Sequence, residues 1–203
     1  MMARRVSGVI LTLAIAVGPS ACAGDERDVL DRDALSLVND LREVDGVLEA
    51  SVFIIETNGA SAKVEVRLEN DLSTDELIET SRAMRAVILE SSGYGERFGE
   101  DSSLEMRYNR TIEAPQGDYL LWGSMPSEAT IEDDVRIWQE FAKVSDTVYL
   151  YYRNAGGFSV SVYPAVDENG VVLTEEQLRE LLLVPWLAAG NAEDELEVKV
   201  FES

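Results

Sequence analysis

The chain contains no histidine, and Cys22 is the only cysteine among its 203 residues. Without histidine, Ser-His-Asp and Cys-His catalytic groups cannot be assembled, and the usual zinc and iron sites lose a principal ligand. A lone cysteine has no partner for an intramolecular disulfide, so the hydrophobic core has to hold the fold without a covalent link. Histidine-dependent enzymes and disulfide-stabilised scaffolds are therefore excluded as classes.

Basic residues are also scarce, with 17 lysines and arginines against 39 aspartates and glutamates and a formal net charge of −22. Such a surface repels phosphate backbones and anionic lipid head groups, which excludes nucleic-acid binding. Among so many carboxylates some pair falls at any chosen spacing, so no catalytic residue is singled out. The acidic clusters lack the ligand spacing of a calcium loop, and the sequence indicates no metal and no cofactor.

The N-terminal segment lacks an apolar run long enough to span a bilayer, which takes about 20 residues. Two arginines at residues 4–5 precede a shorter apolar run at residues 9–17, and two small residues come directly before Cys22. This order is typical of a secretory signal peptide. We therefore interpret residues 1–21 as a signal peptide and expect the protein to be exported.

The residues around Cys22 resemble the cleavage and lipidation box of bacterial lipoproteins. The resemblance implies cleavage between Ala21 and Cys22, acylation of Cys22, and an anchor on the extracytoplasmic face of the cell membrane. Pro19 stands where the box usually has a branched aliphatic residue, and the small residues at 21 and 23 also fit ordinary cleavage after Ala23. Secretion as a free protein remains the alternative.

The rest of the chain has the composition of a globular protein, with 46% hydrophobic and 28% charged residues. Residues 22–28 are interpreted as a tether. Hydrophobic periodicity then predicts the order helix, strand, strand, helix, strand in residues 29–112, and the same order again in residues 126–203. A linker at 113–125 joins them. The predicted fold class is α+β, with two tandem α-β-β-α-β units.

In each unit the first strand is apolar on both faces, at residues 51–57 and 147–152. A strand of this kind is typical of the centre of a sheet. We therefore expect two three-stranded sheets, each ordered second, first, third strand, with two helices on one face. In the second unit, a hairpin that pairs Tyr152 with Phe158 places every apolar pair on one face.

The last predicted helix begins at Thr174, where Thr174 and Gln177 have the spacing of a capping box. Leu178, Leu181 and Leu182 follow as apolar residues of this helix before Pro185.

The predicted hairpin register places Tyr149 and Tyr151 opposite two serines, on the face away from the expected core and near Tyr163. Tyrosine and serine together are typical of recognition surfaces, so these three tyrosines are the candidate binding face. The alternative is an inter-domain core, covered by the other unit or by Trp122 and Trp186. We favour the core interpretation because large exposed apolar patches are uncommon on monomers.

Gly46, Val47, Ala50 and Val52 lead into the first predicted strand and resemble a turn of the ring-building motifs in secretion-system and sporulation lipoproteins. The resemblance covers residues 29–109. It implies an α-β-β-α-β module that contacts other proteins and has no catalytic residues. The second unit lacks the glycine-valine pair. The phospholipid-associated BON domain has a similar order of elements.

Together these observations predict a lipid-anchored protein of the extracytoplasmic membrane face. It is expected to bind another envelope protein, or the envelope itself, and to carry out no catalysis. The alternative is a secreted hydrolase that uses a pair of carboxylates, which would need two buried carboxylates converging in a deep pocket. The sequence indicates no particular oligomeric state.

The anchoring hypothesis predicts that Cys22→Ala moves the protein from the membrane fraction to the soluble fraction, because the acyl chain is its only expected attachment. Cell fractionation measures the location, and mass spectrometry of the mature N-terminus measures acylation. An unchanged distribution of the variant, or a wild-type N-terminus at Gly24, would contradict the hypothesis.

Overall fold

The computed structural model describes residues 24–56, 60–108, 118–143, 148–152, 158–162 and 172–200. The elements in chain order are α1 (Gly24–Arg42), β1 (Val47–Glu56), β2 (Ala60–Leu68), α2 (Thr74–Glu90), α3 (Tyr94–Phe98), β3 (Ser103–Tyr108), β4 (Asp118–Trp122), α4 (Glu128–Phe141), β5 (Val148–Tyr152), β6 (Phe158–Val162), α5 (Glu175–Ala188) and β7 (Leu196–Val200). The α+β class is confirmed, and the predicted order of elements occurs in both halves. α1 begins inside the predicted tether, and β4 lies inside the predicted linker.

All seven strands form one mixed sheet in the order of the sequence. The hairpin pairs β1–β2, β3–β4 and β5–β6 are antiparallel. The pairs β2–β3, β4–β5 and β6–β7 are parallel, and the connection within each contains a helix. Right-handed crossovers that all advance in the same direction place their helices on the same face of a sheet. The main helices accordingly form one layer, in which α1 contacts α2, α2 contacts α4, and α4 contacts α5.

The expectation of two three-stranded sheets is not confirmed, because the two halves share one sheet. β1 lies at the edge, with β2 as its one neighbour among the described strands, so the prediction of a central strand at residues 51–57 is wrong. β5 is central, as the prediction for residues 147–152 requires. Its neighbours are β4 and β6, however, instead of the two other strands of its own predicted unit.

Charged side chains line the exposed face of β2, the inner strand of the first hairpin. Lys63 forms ion pairs with Glu65 and with Glu105 of β3, each at 2.7 Å, and Arg67 pairs with Glu49 of β1 at 2.7 Å. Burial lowers the pKa of Lys63, but the hydrogen bonds to Glu105 and Glu65 more than offset this effect and the pKa is raised. The register sets Glu65 directly beside Glu105, and Lys63 offsets the repulsion between these two carboxylates. Half-exposed pairs of this kind add little stability.

One continuous core lies between the sheet and the helix layer. In β3 and β4 every second residue is buried against the helices, and the residues between them are half-exposed. Trp138 of α4 packs edge-on against Tyr108 of β3, with ring centroids 6.1 Å apart. This contact joins the two halves of the chain, so the core is shared between them.

The predicted capping box of α5 is confirmed. The amide N–H of Gln177 donates to Thr174 Oγ1 at 3.3 Å, and the amide N–H of Thr174 donates to Gln177 Oε1 at 2.9 Å. The helix continues through Pro185 to Ala188. Pro185 donates no hydrogen bond to the preceding turn, and packing of the fully buried Trp186 holds the helix there. No helix in the described part of the chain combines the length and the apolar character needed to cross a bilayer.

Gly46 occupies a position that favours glycine, with a φ angle of +86° between α1 and β1. A Cβ atom here would lie 2.8 Å from Thr80 Oγ1, whose hydroxyl donates to the carbonyl of Asp45 at 3.0 Å. Gly190 has a similar φ of +84°, but a Cβ there would meet no atom within 4 Å. The two glycines therefore share the backbone constraint and differ in the space around them.

We expect Gly190→Ala to lower the free energy of unfolding by about 1–2 kcal/mol, the ordinary cost of a left-handed residue. Gly46→Ala should cost about 1 kcal/mol more, because moving Thr80 also breaks its hydrogen bond. Urea unfolding of both variants measures the difference. Equal losses of unfolding free energy in the two variants would show that the Thr80 side chain moves away from a Cβ at position 46 without destabilising the fold.

Candidate functional site

The predicted site residues are only partly covered by the structure. Ala21, Cys22 and Tyr163 lie outside the described residues, so cleavage and lipidation stay predictions. Tyr149 and Tyr151 lie in β5, and the predicted hairpin register is confirmed, with each tyrosine paired with a serine of β6.

On its other side β5 runs parallel to β4, in a register that aligns Tyr149 with Tyr119 and Tyr151 with Leu121. Tyr119 and Leu121 are half-exposed and alternate with residues buried under the helices. Arg107 of β3 continues the row, with its guanidinium carbon 5.2 Å from the centre of the Tyr119 ring. The tyrosine positions thus extend a polar and aromatic row on the face of the sheet that carries no helix among the described elements. A depression of about 330 Å³ lies on this face beside Arg107 and Tyr119.

Neither tryptophan named as a cover lies over this row. Trp122 is buried on the helix side of β4, where its indole N–H donates to Asp134 Oδ2 of α4 at 2.7 Å. Trp186 is buried in α5, where its indole N–H donates to the carbonyl of Ala192 at 2.6 Å. The two halves lie side by side in one sheet. The two tryptophans named as a possible cover thus belong to the core and to α5, and the core and binding interpretations of the tyrosine positions both stay predictions.

Two buried carboxylates occur in the described part of the chain, Asp118 and Asp134. Asp118 begins β4, and Asp134 contacts Trp122 at its other end. These two positions of the strand are separated by four residues, or about 13 Å. The two buried carboxylates are therefore associated with opposite ends of β4. The described residues also contain no group of three acidic, histidine or cysteine side chains placed to hold a metal ion.

A groove of about 1080 Å³ lies on the molecular surface between α4 and α5. Its apolar lining comes from both helices and from the residue before the α5 cap: Ile137, Leu173, Leu181, Val184 and Pro185. Leu181 is 48% exposed and Val184 is 70% exposed. The groove is thus an apolar surface open to solvent.

The groove exists because α5 is apolar on more than one side. Leu178, Leu182 and Trp186, spaced four residues apart, are buried in the core. Leu181 and Val184 lie on an adjacent arc of the helix and line the groove opposite α4.

Charged residues from both helices line the groove alongside these apolar side chains. Arg136 is already paired with carboxylates of α2 and α4, and Lys143 is paired with Glu140. Asp133 and Glu180 also line the groove. Neither has an ion-pair partner within the described ranges. The groove therefore presents apolar side chains together with unneutralised negative charge from each helix.

Comparison with known proteins gives no match to any protein-family model and none to a curated protein. The functional argument therefore rests on the surfaces of the molecule itself. The helix-flanked groove and the row of tyrosine positions are two candidate surfaces within the described part of the chain.

Asp134 makes the stability of the fold depend on pH. Burial raises the pKa of Asp134 to about 7, the hydrogen bond from Trp122 opposes the rise, and the charge of Asp133 adds to it. The folded chain therefore holds this proton up to about pH 7, whereas the unfolded chain releases it near the ordinary aspartate pKa of 3.8. Protonated Asp134 favours the fold at acid pH, and this contribution is lost as the pH rises from about 4 to about 7.

We expect Asp134→Asn to remove this loss, because the amide stays neutral and its oxygen can still accept from Trp122. The stability of the variant relative to wild type should rise by about 1–3 kcal/mol between pH 4.5 and pH 8. Urea unfolding at both pH values measures this change. Asp133→Asn, at the exposed neighbouring position, is the control and should change much less. The same pH dependence in Asp134→Asn and wild type would show that Asp134 is already ionised in the fold.

Proposed function

We propose that this chain is a lipid-anchored protein of the extracytoplasmic membrane face that works by binding another envelope protein, without catalysis. The groove between α4 and α5 is the observation that carries the binding proposal. It leaves Leu181 and Val184 substantially exposed in a concave surface. Contiguous exposed apolar surface of this kind marks interaction sites on soluble proteins.

The anchoring part of the proposal is supported by the signal-peptide pattern and by the position of Cys22. α1 begins at Gly24, two residues after this cysteine. An acyl chain on Cys22 would therefore hold the folded part close to the bilayer. A partner reached from this position would itself lie at the membrane surface.

The row of tyrosine positions on the open face of the sheet is a second candidate binding surface. Its support is the alignment of Tyr149 with Tyr119 and the stacking of Arg107 on Tyr119. Tyrosine and arginine are enriched at protein interfaces.

A photo-crosslinking amino acid at position 184 tests the proposal in cells that produce the full chain with its leader. Val184 is 70% exposed and lines the groove. Leu187, on the same helix but outside the groove lining, is 47% exposed and is the control position. We expect illumination to join position 184 to one envelope protein, identified by mass spectrometry of the adduct, and to give much less of that adduct from position 187. No adduct at 184, or the same adducts from both positions, would contradict binding through the groove.

A further inference from the structure

The dimensions of the groove suit a short helix. The lining residues on α5 extend from Gln177 to Ala189, and this length of helix spans about 18 Å. A helical segment of about 12 residues, or three turns, fits alongside it, whereas an extended segment of the same length has only about five residues. Three turns present three or four side chains at i, i+3, i+4 and i+7, the spacing by which helices bind in apolar grooves.

The charges of the groove indicate which side chains should flank the apolar face of that helix. Asp133 on α4 and Glu180 on α5 are without ion-pair partners among the described residues, and Arg136 and Lys143 are already paired. The whole chain has a formal net charge of −22. Lysine or arginine beside the apolar face of an incoming helix would pair with these two carboxylates. An acidic helix would be repelled by them.

Two other occupants fit these observations less well. A second copy of this chain brings another formal charge of −22 to a surface that already carries unneutralised acids. A lipid acyl chain would cover the apolar lining, but it leaves Asp133 and Glu180 unneutralised. In an open groove, one side of that chain would also stay in water.

We propose that the groove between α4 and α5 binds a basic amphipathic helix of the partner protein. The inference rests on the proposed function and adds the chemistry of the segment that is bound. Leu181 and Val184 contact the apolar face of the helix, and Asp133 and Glu180 pair with its flanking lysines or arginines.

Fluorescence anisotropy with three labelled peptides of 18 residues tests the proposal. The first has leucines at helical i, i+3, i+4, i+7 spacing and lysines beside them, the second has glutamate for every lysine, and the third has the first composition in scrambled order. The purified mature chain is used, in phosphatidylcholine nanodiscs if it carries the acyl anchor, with empty nanodiscs as the blank. We expect the first peptide alone to bind with a defined dissociation constant. Equal binding of the scrambled or the glutamate peptide would overturn the proposal.

Matched variants separate the groove from the general attraction of an acidic protein for a basic peptide. Leu181→Ala should weaken binding of the lysine peptide by about tenfold, the range expected for a central apolar anchor. Leu187→Ala removes a leucine of equal exposure, 47% against 48%, from the same helix, and it should change binding by less than about twofold. Thermal melting of both variants verifies that they are folded. Equal effects of the two substitutions on peptide affinity would show that the peptide binds outside the groove.

The charge contribution is tested by a second matched pair. Glu180→Gln and Glu175→Gln each remove one negative charge from α5, but only Glu180 lines the groove. Glu180→Gln should weaken binding by about threefold or more and reduce its salt dependence, whereas Glu175→Gln should have little effect. Similar losses of affinity in the two variants would show that the peptide is attracted by the net charge of the protein, and they would overturn the role of the groove carboxylates.

Two further measurements distinguish the other occupants, and the crosslinking experiment distinguishes the two proposals. If sedimentation shows a dimer and Leu181→Ala dissociates it, the occupant of the groove is a second copy of the chain and the proposal of a basic helix is overturned. If a free fatty acid displaces the peptide at a concentration below that of the peptide, the occupant of the groove is a lipid and the proposal of a basic helix is overturned. Crosslinking at position 184 without binding of the lysine peptide would leave the proposed function standing and overturn the basic helix. Binding of the lysine peptide without crosslinking at position 184 would support recognition of a basic helix and overturn binding of an envelope protein through the groove in cells.

Discussion

The architecture depends on one constraint, the right-handed connection that carries the chain from each hairpin to the next strand. Every such connection advances in the same direction, so the sheet grows in sequence order and all main helices cover one of its faces. One surface follows from this arrangement. The sheet keeps a face without helices among the described elements, on which Arg107 and Tyr119 lie. The groove between α4 and α5 follows instead from the second apolar arc of α5.

Local patterns were sufficient to predict the α+β class, the order of elements in each half, the hairpin register of β5 and β6, and the start of α5. Each of these depends on residues close together in the sequence, such as the pairing of Tyr152 with Phe158. The order of strands depends on contacts between distant residues. The apolar character of β1 suggested a central strand, but β2 lies between β1 and β3. The strand β4 was missed because it is short and lies between segments that contain proline and glycine, at residues 115–117 and 123–126.

The groove could not be predicted for a related reason. Helical periodicity identified Leu178 and Leu181 as apolar residues of one helix, but it cannot show which arc of that helix another element covers. The signal that was available was the excess of apolar residues between positions 178 and 187, more than one buried face requires. For Tyr149 and Tyr151 the register was predictable, whereas the absence of Trp122 and Trp186 from their face depends on the sheet as a whole.

The packing of Trp138 against Tyr108 has a consequence for dissecting the molecule. A single core divided between two halves of a chain is expected to unfold cooperatively, in one transition. A fragment that ended after β3 would lose the tryptophan that packs on Tyr108, and it would expose a strand edge that β4 normally covers. Unpaired strand edges promote aggregation. We therefore expect neither half to fold alone, although the order of elements is repeated in both.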